Sequence, residues 1–91
     1  VANLQTKLIR TLEDAGCYVV NITSASKNGV ADILGCLPSG RFFAVESKEK
    51  SDRLKPLQKY NLDQVKKSNG LAIEARSVED LAPLLAHINR T

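Results

Sequence analysis

Asp32 and Glu46 each interrupt an otherwise apolar run, Val30 to Leu37 and Arg41 to Ser47. Between the runs lies Pro38-Ser39-Gly40, a three-residue hairpin turn with glycine last. If that turn joins two antiparallel strands, Leu37 faces Arg41 and Asp32 faces Glu46. Side chains opposed in this way have Cβ atoms about 4.5–5.5 Å apart. Two negative charges at that distance repel, and a cation between them removes the repulsion. Lys48 is two residues beyond Glu46 and so shares its face. The Ser47 side chain is expected to point away, while its backbone carbonyl, between Glu46 and Lys48, offers a third oxygen. Such oxygen donors suit Mg²⁺ or Mn²⁺ rather than Zn²⁺. An ion held there could polarise a phosphoryl oxygen, acidify a bound water and steady a leaving oxygen. Lys48 could orient or deprotonate that water and offset phosphate charge. Gln58 shares a helical stripe with Leu62 and Val65, so a polar group faces the core and needs a partner, expected to be Lys48, water or phosphate.

The elements that must position these groups follow from periodicity. Leu4, Leu8, Leu12 and Ala15 predict an amphipathic helix over residues 2–15, stopped by Gly16. Cys17 to Thr23 reads as a buried strand, and Ser24 to Gly29 as a polar loop. The hairpin strands follow, then a charged loop over residues 49–55. Pro56 opens a second helix at its first position and Asn69-Gly70 closes it. Leu71 to Ala75 reads as a fourth strand. Ser77, with Asp80 three residues on, caps a last helix whose apolar face is Val78, Leu81, Leu85 and Ile88. The order α-β-β-β-α-β-α makes the chain an α/β protein.

With 91 residues, 43% of them hydrophobic and 25% charged, the sequence fits one ordered domain over residues 1–91. Four aromatics, with no Trp or Met, leave an aliphatic core. Cys17 and Cys36 make no disulfide framework, have no metal-ligand spacing, and read as reduced thiols. His87, near a helix end, reads as a surface residue rather than a ligand or base. No apolar run has the roughly 20 residues that span a bilayer. No signal-peptide pattern is present. The start at Val1 rather than Met points to a trimmed or processed end, and a reducing cytoplasmic setting fits the free thiols.

Net charge is +3, but Arg41 to Lys67 alone holds eight basic and four acidic residues, an excess larger than the whole chain's. That concentration beside the paired acids points to a polyanion. Lys27, Lys50, Arg53, Lys55 and Lys59 are the candidate phosphate contacts. Ser24 and Ser26 join Lys27 in the loop before Asp32.

Gly29-Val-Ala-Asp-Ile33, then Arg41-Phe-Phe-Ala-Val-Glu-Ser-Lys48, then Leu54-Lys-Pro-Leu-Gln58, then Asn69-Gly-Leu-Ala72 together resemble the VRR-NUC family. This is the virus-type replication–repair branch of the PD-(D/E)xK nucleases. The resemblance spans about Asn28 to Val78. It implies a restriction-endonuclease-like αβββαβ core, a mixed sheet flanked by helices, and a C-terminal helix. It also implies Asp32 as the motif aspartate, Glu46 as second metal ligand, Lys48 as catalytic lysine and Gln58 as the glutamine of the following helix. The activity implied is Mg²⁺- or Mn²⁺-dependent hydrolysis of DNA. Small members look like phage or prophage proteins and are similar to homodimers that cut branched DNA, four-way (Holliday) junctions included. Where the family often has an acid early in the first helix, this chain reads Asn3-Leu-Gln5. The alternative is therefore a non-catalytic DNA-binding module that retains the fold, or a subunit of a larger assembly.

Overall fold

The structure, a computed structural model, describes residues 2–88; Val1 and residues 89–91, the extremities of the expected domain, lie outside the described residues. Helix α1 (Leu4–Asp14) is capped by Asn3, whose side chain accepts from the Thr6 N–H at 2.9 Å. It leads into strand β1 (Tyr18–Asn21) and the hairpin of β2 (Ile33–Cys36) and β3 (Phe42–Ser47). Helix α2 (Pro56–Lys67) crosses to β4 (Leu71–Ala75), and the chain continues through a 3₁₀ turn (Val78–Leu81) into the short α3 (Ala82–Leu85). The four strands lie in the order β1-β2-β3-β4, with β3 and β4 parallel and the other neighbours antiparallel.

The expected hairpin register holds. Ile33 pairs with Val45 and Cys36 with Phe42, the same alignment that sets Leu37 against Arg41. Around the turn, the Leu37 N–H donates to the Arg41 carbonyl at 2.9 Å and the Gly40 N–H to the Leu37 carbonyl at 2.8 Å. Gly40 has φ of +91°, a left-handed position that a side chain would strain.

Alternation along β2 and β3 divides the core in two. On one face Ile33, Leu37, Phe43 and Val45 pack with Leu8 and Leu12 of α1 and with Leu81 and Leu84. On the other, Ala31, Ala44 and Ala72 pack with Leu62 of α2, with Leu34, Leu54 and Val65 partly buried around them.

Two expectations are corrected. The first strand is not buried: it is an edge strand with Tyr18 and Asn21 exposed and the two valines half-buried. The last helix is not continuous. Pro83 has no N–H to offer a carbonyl one turn back, so the segment after Ser77 closes as a 3₁₀ turn and a new α-helix begins at Ala82, with the proline in its first turn. The Asp80 carboxylate does reach back, accepting from the N–H groups of Arg76 at 2.8 Å and Ser77 at 3.2 Å.

Candidate active site

Glu46 is the one charged residue buried in the described part of the molecule, at 5% exposure. Strand β3 places it on the α2 side of the sheet, near the strand's C-terminal end. Its two carboxylate oxygens have different surroundings. Oε2 meets the Lys48 ammonium at 3.6 Å and accepts from Gln58 Nε2 at 3.4 Å. Oε1 is buried with no hydrogen-bond partner. Burial pushes the Glu46 carboxyl above the usual glutamate range, and the nearby Asp32 charge pushes it further, while Lys48 and, more weakly, the backbone N–H of Asp32 pull it back; that N–H does not reach hydrogen-bond geometry with Oε1. A carboxylate oxygen left unpaired in the interior costs about 1–3 kcal/mol or more, which a cation would relieve.

Asp32 stands where β2 begins, and its carbonyl accepts from the Ile22 N–H at 2.8 Å. Its carboxylate is fixed by Ser47: Oδ1 accepts from the Ser47 N–H at 3.1 Å and Oδ2 from the Ser47 hydroxyl at 2.7 Å. The expectation that the Ser47 side chain points away is therefore corrected. Strand alternation describes a regular pair, and Asp32 lies just outside the β2 ladder, free to turn toward the residue diagonal to it. The sequence carries no marker for this bond beyond a hydroxyl residue inside the Glu-x-Lys spacing.

Helix α2 supplies the third side. Gln58 lies in its first turn, where Oε1 accepts from the Lys55 N–H at 2.9 Å while Nε2 reaches Glu46. The predicted core-facing glutamine thus finds Glu46 and the backbone at its own helix start. The helix N-terminus, with its partial positive charge, is brought beside the buried carboxylate.

Two loops flank this point, and both are tied down. In the loop before Asp32, the Asn61 side chain of α2 donates to the Asn28 carbonyl at 3.1 Å. Gly29 has φ of +83°, and an added Cβ would come within 2.7 Å of Leu57. Lys27, Asn28 and Asp32 line a cleft of about 340 Å³ in this loop. On the other side, Arg76 holds the charged loop, donating to the carbonyls of Lys50 (2.7 Å) and Asp52 and pairing with Glu74 at 2.7 Å. Arg76 stands outside every motif in the sequence, and its role emerges only when β4 sets it beside that loop. Lys27, Lys50, Arg53, Lys55 and Lys59 are all exposed, with Lys59 paired to Asp63 at 3.1 Å.

The four chemistry-bearing positions are thus brought to one end of the sheet. Among the described residues no group of three or more His, Cys, Asp or Glu side chains gathers around one point, so the carboxylates at this site are Asp32 and Glu46. In the first helix, Gln5 is hydrogen-bonded to Asn21 at the end of β1.

A family model of the VRR-NUC domain matches residues 21–79, more than half of the chain. The chain belongs to the VRR-NUC family. A solved VRR_NUC domain superposes on it with a TM-score of 0.75, covering 92% of this chain and 91% of that one at 22% identity. Identity that low speaks for the fold alone. The curated proteins contain no match. VRR-NUC domains belong to the nuclease superfamily, which ties this chain to DNA processing. The match covers Asp32, Glu46, Lys48 and Gln58, whereas α1 lies before it.

Proposed function

We propose that residues 1–91 act as one nuclease domain, a metal-dependent endonuclease that hydrolyses DNA phosphodiester bonds. The observation that carries this reading is the divided environment of Glu46, with one oxygen held by Lys48 and Gln58 and the other buried without a partner. Glu46 and Asp32, with the Ser47 carbonyl, would hold a Mg²⁺ or Mn²⁺ ion. The donor chemistry fits, because all three supply oxygen and the buried Oε1 has no hydrogen-bond partner. When bound, the ion supplies Lewis acidity toward a phosphoryl oxygen and acidifies a water.

The residues of the chain account for the rest. Ser47 orients the Asp32 carboxylate through its N–H and hydroxyl. Gln58 fixes the Glu46 side chain against α2. Lys48 keeps a positive charge beside the carboxylates, placed to hold the attacking water and offset charge on the phosphate. Lys27, Lys50, Arg53, Lys55 and Lys59 supply salt-sensitive contacts to the DNA backbone. Branched DNA, four-way junctions among it, is the proposed preferred substrate, and a homodimer would give the two sites that cutting two strands requires. The test is a cleavage panel of junction, flap, splayed arm, duplex and single strand with Mn²⁺ or Mg²⁺. Cleavage is expected in the wild type and lost in Asp32→Asn and Lys48→Ala; activity retained in either variant overturns the assignment.

One observation favours a second reading. Where the family often has an acid in the first helix, Gln5 is neutral and already bonded to Asn21. On that basis the domain would bind DNA without cutting it. Calorimetry separates the two: salt-sensitive DNA affinity with no Mn²⁺ binding supports the binding module, and Mn²⁺ binding lost in Glu46→Gln supports the nuclease.

A further inference from the structure

On the α2 face of the sheet, the face that carries Glu46, lies an open groove of about 320 Å³. Its floor is Leu34 and Ala44, the latter two residues along β3 from Glu46, a step of about 7 Å. One wall is α2, through Leu62 and Val65, and the other is the loop bearing Lys27. Phe42 lies at the far end and is 44% exposed. The groove is thus apolar at its base and cationic at its rim.

We propose that this groove receives a single unpaired nucleobase of the DNA strand whose backbone lies at Asp32 and Glu46, with Phe42 as the stacking platform and Lys27 against the adjoining phosphate. The inference rests on the DNA-processing reading above and names what that site would prefer. The spacing fits, because the groove begins one strand repeat from Glu46, where a base attached to a phosphate held there would reach. The charge fits, because an apolar slot rimmed by a lysine matches a base joined to an anionic backbone. A paired base cannot enter without its partner, so the groove selects DNA with an unpaired nucleotide beside the cleavage point. Loss of base–aromatic stacking of this kind on alanine substitution lowers affinity by about 5- to 150-fold per base.

The experiment places 2-aminopurine at one unpaired position beside the branch of a flap or junction, and in a fully paired duplex as control. Fluorescence and affinity are read with EDTA present, so that neither depends on a metal. Wild-type protein should quench the unpaired probe and bind that DNA about tenfold more tightly than duplex. Phe42→Ala, and Ala25→Leu at the exposed groove rim, should abolish both the quench and the preference. Both variants should keep the wild-type melting profile and duplex affinity, and Glu46→Gln should keep the quench. An unchanged probe signal at saturation, or an unchanged preference in folded Phe42→Ala, overturns the proposal. So does a fall in oligomeric state in Phe42→Ala without change in the probe, which would give the groove to a second copy of the chain. Cleavage with Mn²⁺ but no quench removes this inference alone. A quench without any cleavage leaves it standing and removes the nuclease instead.

Discussion

The two faces of the central hairpin are built from alternate residues of the same two strands and behave in opposite ways. Toward α1, Ile33, Phe43 and Val45 are large, apolar and sealed from solvent. Toward α2, the intervening positions are Leu34, Ala44 and Glu46, with a half-open groove and a buried acid. A period of two lets one strand carry both. The lesson is a division of labour. The sealed face supplies the stability margin, and the other face is thereby free to keep an unpaired carboxylate oxygen, an arrangement that opposes folding.

The sharpest way to break this comparison is to truncate neighbours on β2. Ile33→Ala should cost about 2–5 kcal/mol, enough to unfold much of so small a domain at room temperature. Leu34→Ala, half-exposed on the other face, should cost about 1 kcal/mol. Thermal or urea unfolding followed by circular dichroism measures both, and equal losses would erase the distinction between the faces. Next, Lys48→Ala should lower the cleavage rate by about 10²–10⁴-fold while the protein stays folded. A smaller fall, or one explained by unfolding, would move Lys48 to the structural side.

Ser47→Ala sharpens the comparison further. It removes one hydroxyl hydrogen bond to Asp32, a net change of about 1 kcal/mol in stability, yet it should weaken Mn²⁺ binding by about 10–100-fold. Calorimetry should find that loss largely restored in Ser47→Thr. Equal affinity in wild type and Ser47→Ala would remove Ser47 from the site. The smallest effect is on pH. The folded state raises the Glu46 pKa, so it holds that proton more tightly than the unfolded chain does. Its contribution to stability is full below the ordinary glutamate range and is lost as pH rises through the raised value. Without divalent metal, the stability of wild type relative to Glu46→Gln should therefore fall as pH rises through that window. Parallel pH profiles of the two melting temperatures would contradict it.

Much of this division was legible in the sequence. The three-residue turn set the register of β2 on β3, and the strand repeat set Lys48 beside Glu46. Pro56 and the Asn69-Gly70 pair gave the bounds of α2 to within a residue, Asn69 itself taking the left-handed φ of 69°. What stayed hidden depended on contacts between distant segments. The Asp32–Ser47 pair needs a side-chain rotation at the point where the ladder has not yet begun, which alternation cannot describe. The Gln58–Glu46 contact needs the approach of α2. The exposure of β1 is a matter of strand order, and an edge strand and a central one can have the same composition. The broken last helix, by contrast, was readable: Pro83 within the predicted span already forbade a continuous run.

The grip of Arg76 on the loop carrying Lys50 and Arg53 bears on how this protein would meet a polyanion. Three acceptors fix that guanidinium at once, so the loop's backbone has its shape in the absence of any ligand. Encounter then asks only for side-chain adjustment, and little freedom of the main chain remains to be surrendered on contact. The entropy of ordering the segment has been met during folding, by an arginine that belongs to another part of the chain.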